Sequence, residues 1–202
     1  MGRVFLLSPA HAGGRRAALI LNPHAQFPLA RRLQRGEAAP LGEIYQFLSG
    51  LYFRGKLAYA TAFAQEGAPG GGVMVITPNR GLLPADTPVT REELRQLGEG
   101  EIDDSNRRYR EPLRRDLLQL AAVKSVEVVL LGSISTGKYA NVLLEALGER
   151  VWFPTDFVGR GDMSRGGLLL RCVREGRELA YQRLAGAVRR GPRPPRLDAR
   201  SG

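Results

Sequence analysis

Apolar residues along this chain fall into short runs separated by glycine, proline and polar clusters, and the runs alternate between strand-like and helix-like spacing. Arg3 to Leu7 reads as a first strand ended by Ser8-Pro9, since proline cannot donate to a ladder. Phe27 to Leu33 reads as a brief helix. Leu41 to Ala64 reads as a long one, with Ile44, Phe47, Leu48, Leu51, Leu57, Ala58 and Ala62 near helical spacing and Gly50 and Gly55 as places to kink or turn. After the turn cluster Glu66 to Gly72, Val73 to Ile76 is a second strand stopped by Thr77-Pro78, and Asn79 to Pro84 reads as a polar turn.

Thr90-Arg91-Glu92-Glu93 has the form of a helix start with a capping box. Tyr109 to Ala122 follows as a helix with Leu113, Leu117, Leu118 and Ala121 inward. Val126 to Leu131 and Val151 to Phe153 are strands. Leu168 to Leu170 with Cys172 and Val173 form the buried stripe of a helix that stops at Gly176, and Glu178 to Leu184 is a final strand. Strands alternating with helices predict an α/β fold: a single domain over 1–186, with a mainly parallel sheet of about four to five strands flanked by helices. Strand-end loops would then line a cleft at the carboxyl edge, where open sheets place their ligands. The prolines at 192, 194 and 195 break regular structure, so 187–202 is expected to be a disordered tail.

Composition narrows the class. Apolar residues make up 43% and charged residues 25% of 202 positions, as in a globular chain. No apolar run approaches the roughly 20 residues of a membrane helix. The opening run of about five residues is short for a secretory signal. Cys172 is the single cysteine, so no internal disulfide forms, and a cytoplasmic setting is expected. The formal charge is +10. Arg189, Arg190, Arg193, Arg196 and Arg200 against Asp198 give the tail +4 and leave +6 on the body, so the expected cleft is basic and a polyanionic partner fits.

Candidate chemistry concentrates in three loops. Phe157 to Arg171 places Arg160, Gly161, Asp162, Ser164 and Arg165 at the start of a helix, where free backbone N–H groups attract anions. Gly132 to Tyr139 nearly spells a phosphate loop, but Tyr139 replaces the hydroxyl that would hold magnesium, so Ser133, Ser135, Thr136 and Lys138 are expected to bind phosphate without a nucleotide-hydrolysing metal. The first loop, Ser8 to Arg16, offers Ser8, His11 and Arg15. Tyr45, Tyr52, Arg54, Lys56 and Tyr59 interleave rings and cations as nucleic-acid surfaces do. The acids Glu101, Asp103 and Asp104 have no histidine or cysteine beside them, so neither a metal nor a cofactor is expected.

Two motifs carry a family resemblance. Leu6-Leu7-Ser8-Pro9-Ala10 and Arg160-Gly161-Asp162-Met163-Ser164-Arg165 resemble the S-P-A and R-G-x-M-S-R motifs of the bacterial YaaA family, known for a DNA-binding peroxide-stress protein. Glu43-Ile44-Tyr45 with Leu51, and Leu131 to Tyr139, resemble its central helix and later strand and loop. The likeness runs to about Arg174. His11 stands where the family has lysine, and Asp162 where it is usually apolar. The resemblance implies a mixed α/β fold, a basic cleft and DNA binding that limits oxidative damage, with Ser8, Pro9, Arg160, Gly161, Met163, Ser164 and Arg165 carried over.

The leading expectation is therefore a nucleic-acid-binding protein, with Arg15, Lys138, Arg160 and Arg165 on phosphates. The alternative is an enzyme acting on a nucleotide or nucleic-acid base, with Asp162 as acid or base and the base stacked on Tyr45 or Tyr52. A third reading, a structural protein, treats the glycines as turns and the arginines as compositional bias.

Overall fold

The structure is a computed structural model that describes residues 2–65, 67–123 and 126–195. Its elements are β1 (Gly2–Leu7), α1 (Arg15–Leu21), α2 (Pro28–Gln34), β2 (Ala39–Pro40), α3 (Leu41–Ser49), α4 (Leu51–Phe63), β3 (Val73–Ile76), β4 (Leu82–Pro84) and β5 (Pro88–Val89). They continue with α5 (Arg91–Gly98), α6 (Arg107–Ala122), β6 (Val126–Leu131), α7 (Gly137–Leu147), β7 (Val151–Pro154), α8 (Asp162–Glu175) and β8 (Tyr181–Arg183). One sheet runs in the order β4-β3-β1-β6-β7-β8, with four parallel strands in the middle and an antiparallel strand at each edge; β2 and β5 form a separate two-residue ladder.

Central strands are apolar along most of their length, β1 beyond Arg3 and β6 apart from Glu127, because helices cover both faces. The two faces of β1 feed different cores. Phe5 and Leu7 pack with Val75, Val129 and Leu131 under α1, α3, α4 and α8. Val4 and Leu6 pack with Val128, Leu130 and Phe153 under α6 and α7. Strand period of two thus assigns each core its residues.

The long helix expected over 41–64 is two helices broken at Gly50, whose φ of +63° suits glycine. Gly55 remains inside α4 because that helix lies directly against Gly166 of α8. Thr90 and Glu93 form the expected capping box.

Three local readings change. Leu82 to Pro84, expected as turn, is an edge strand that proline tolerates beside β3. Arg15 to Leu21, read partly as loop, is a helix. Leu118 is exposed, and Leu120 takes the inward position of α6. Residues 187–195 form no helix or strand, and hydrogen bonds join them to the body: Arg190 donates to Ser135 O at 3.3 and 3.4 Å, and Arg160 reaches Pro195 O at 3.5 Å. Glu66 of the turn cluster and residues 196–202 of the tail lie outside the described residues.

Candidate functional site

The loops leaving β1 and β6 diverge. From β1 the chain turns to α1 on one face of the sheet, and from β6 it turns to α7 on the other. Such a switch point opens a crevice at the carboxyl ends of the two strands. A cleft of about 330 Å³ lies there, lined by Ser8, Pro9, Ala10 and His11 after β1, by Ser133, Lys138 and Tyr139 after β6, by Leu48, Ser49 and Tyr52, and by Asp162 at the start of α8. Pro9, Ala10, His11, Lys138 and Tyr139 also border a second lobe of about 470 Å³, walled by Ala12 and Gly13 and by Leu97 to Ile102, the end of α5 and the loop that follows it. The lining carries both signs, with Lys138 against Asp162, Glu99 and Glu101.

Ser8 is held closely. Its N–H donates to Leu131 O at 3.2 Å, and Gly132 approaches so near that an added Cβ would stand 2.9 Å from Ser8 Cβ. Behind Ser8 is Lys56 of α4, 1% exposed, with Nζ 2.8 Å from Ser8 Oγ and a second hydrogen bond to Ser8 O. The rings of Tyr52 and Phe53 lie 4.4 and 5.0 Å from the amine. Burial pushes the Lys56 amine down to about 7; nearby Asp162 acts in the opposite sense and Arg165 reinforces the shift.

Lys56 entered the sequence reading only as one of several basic residues between rings. The signal that singles it out is position: Tyr52, Lys56, Tyr59 and Ala60 share the buried stripe of α4. A lysine on such a stripe is desolvated once the helix docks.

The other expected residues divide. Ser133, Lys138, Tyr52 and Asp162 line the first lobe with Ser8. Ser133 Oγ and Ser135 Oγ are 2.9 Å apart, and Thr136 is the exposed N-cap of α7, with no capping bond from its side chain. Lys138 Nζ sits 5.2 Å from the Tyr139 ring centre. Asp162, 68% exposed, faces Arg165 at 3.6 Å.

Arg165 is buried. Its Nε and one terminal nitrogen both donate to Phe157 O, at 3.3 and 2.9 Å, so it braces the β7–α8 loop and is not free to grip a phosphate. Arg160 bonds Ser164 Oγ at 3.3 Å while its Nε is buried without a partner among the described residues. Gly161 is the exposed N-cap of α8. Arg15 is exposed at the start of α1. None of Arg15, Arg160, Gly161, Ser164 or Arg165 lines either lobe.

Stacking on Tyr45 is excluded by its position: the ring is 0% exposed and packs edge-on to Phe53 at 5.3 Å. Tyr52 reaches the lining, although Lys56 covers part of its ring. Both hydroxyls are buried without a hydrogen-bonding partner among the described residues, and burial raises both phenols well above their ordinary range.

Fold and cleft together define an α/β protein of the open-sheet type, with two joined lobes at the switch point of its sheet. Among the described residues, no helix is long and apolar enough to cross a membrane. Compared with known proteins, the chain matches no family model, no curated protein and no solved structure.

Proposed function

We propose that this protein binds DNA or a nucleotide by its phosphates at the Ser133–Lys138 side of the switch-point cleft. The observation that carries the reading is convergence. Ser133 and Lys138, from the loop and first turn after β6, line one wall with Ser8 from β1, and the Arg190 guanidinium lies on the same loop through Ser135 O. Hydroxyls, a lysine and the N-terminus of an 11-residue helix form a favourable anion environment. Glu99 and Glu101 disfavour phosphate in the second lobe, so the phosphate stays near α7. The formal charge of +10 supports association with a polyanion. Likeness to the YaaA motifs adds a cytoplasmic role in protection from oxidative damage.

The test is binding of labelled single- and double-stranded DNA by the full chain across a salt series. Affinity falls steeply with salt, and Lys138→Ala weakens binding and lowers the slope of log affinity against log salt by about one. Salt-independent binding, or Lys138→Ala with unchanged affinity and slope, would exclude the site.

A second reading, an enzyme acting on a nucleotide or base, is favoured by Asp162 and Tyr52 lining the same lobe, whose volume suits a small ligand. Asp162→Asn then abolishes turnover of a nucleoside or nucleotide substrate while leaving its binding intact. Full activity in that variant removes Asp162 from the chemistry.

A further inference from the structure

We infer that Ser8 is a nucleophile activated by Lys56, and that the first lobe performs acyl transfer or hydrolysis on small, polar esters, thioesters or activated amides. The inference stands apart from the phosphate reading, because its evidence is the buried pair.

A lysine taken out of water normally meets a carboxylate, since an isolated ammonium in a low-dielectric site is costly. Lys56 has none in hydrogen-bonding contact among the described residues: its bonds go to Ser8 O and Ser8 Oγ, and two aromatic rings fill the remaining space. Asp162 and Arg165 of α8 act on the amine from a distance with opposite signs. A neutral amine satisfies this surrounding. Nζ donates to both Ser8 O and Ser8 Oγ; once neutral, the amine keeps the first bond and turns its lone pair to the Ser8 hydroxyl proton across the same contact, the arrangement by which a serine is activated without histidine. Placement completes the case. Ser8, 5% exposed, is a lining residue of a cleft of about 330 Å³, beside Gly132 and with its Oγ bonded to the amine. Lys138, Asp162 and His11 on the same lining fit an acyl compound with ionised or polar substituents better than a long alkyl chain.

The chemistry balances without a further reagent. Ser8 Oγ bonds to the acyl carbon as its proton passes to Lys56 Nζ. Collapse of the tetrahedral adduct expels an alcohol, thiol or amine, which takes that proton and leaves acyl-Ser8. Water then attacks the acyl carbon, Lys56 accepts its proton, and the ammonium returns it to Ser8 Oγ as the carboxylic acid departs. A second nucleophile in place of water gives transfer.

The test uses the full chain and an alkyl fluorophosphonate, with adducts mapped by peptide mass. A single adduct forms on Ser8, is absent from Ser8→Ala, and accumulates faster as pH rises through neutrality, where Lys56 loses its proton. Lys56→Met, similar in length and without an amine, slows labelling by about a hundredfold. No adduct on Ser8 between pH 6 and about 9, or Lys56→Met labelled at the wild-type rate, would overturn the assignment. If Lys56→Met fails to fold, the wild-type pH profile decides: a rate flat across neutrality would leave the amine a structural pin only.

Discussion

Gly55 of α4 lies directly against Gly166 of α8, with no room for a side chain on either. A Cβ at 55 would stand 2.7 Å from Gly166 O, and one at 166 would stand 2.8 Å from Leu51 O. This approach carries Tyr52 and Lys56 toward Asp162 and Arg165. Alanine is the better helix former by about 1 kcal/mol, yet overlap with backbone outweighs that preference. Gly55→Ala and Gly166→Ala are expected to destabilise the protein by roughly 1–3 kcal/mol each, read as a lower urea midpoint. A midpoint at or above wild type for both would contradict the tight crossing.

Arg165 is expected to matter for folding first. Truncation to alanine removes both hydrogen bonds that the guanidinium donates to Phe157 O and leaves that buried carbonyl with only the Arg160 N–H at 3.3 Å. Loss of about 1–3 kcal/mol follows. Arg165→Lys recovers little, because one ammonium cannot reproduce the forked contact. Thermal unfolding of the two variants checks this, and wild-type stability in Arg165→Ala would return the residue to the list of phosphate contacts.

Lys56 sets a pH dependence with a definite sign. Its amine titrates near 7 in the folded chain and near 10.5 in the unfolded one. Between those values the unfolded state holds the extra proton, so this group's contribution to stability rises with pH, by at most about 1.4 kcal/mol per unit. Below about 7 both states are protonated and the full burial penalty is present. Lys56→Met removes the slope and is more stable than wild type at pH 6, which urea melts at pH 6, 7.5 and 9 will show. Equal slopes in the two proteins would mean that the amine is not desolvated.

The Tyr45 hydroxyl offers a complementary measurement. It is buried with no partner among the described residues, so Tyr45→Phe is expected to leave stability unchanged or raise it by up to about 1 kcal/mol. A clear loss would reveal a bound water or another partner for the phenol.

Much of the architecture was legible because the strands that define it are uniform. Val126–Leu131 and Val73–Ile76 are apolar runs closed by glycine or proline, and Thr90–Glu93 announces its own helix. Edge strand β4 was harder: three residues ending in proline look like turn until β3 supplies the pairing. Site residues were read from local chemistry, and Ser8, Ser133, Lys138 and Asp162 share one lining because loops after strands converge. The burial of Arg165 and Tyr45 was not legible, because charge and aromaticity say nothing of which way a helix face turns. Lys56 was overlooked for the converse reason: its meaning depends on Ser8, 48 positions away.

Ser8 follows the last pairing of β1 with β6, Leu7 opposite Leu131. A slip of one residue would send Phe5 and Leu7 beneath α6 and α7 and bring Val4 and Leu6 beneath α4 and α8, exchanging large and small side chains between two filled cores. The serine is thus indexed by the whole sheet and not by its own loop. Its amide, bonded to Leu131 O, should exchange with deuterium only on the timescale of global unfolding, so the floor of the cleft has the lifetime of the fold while its rim is free to vary.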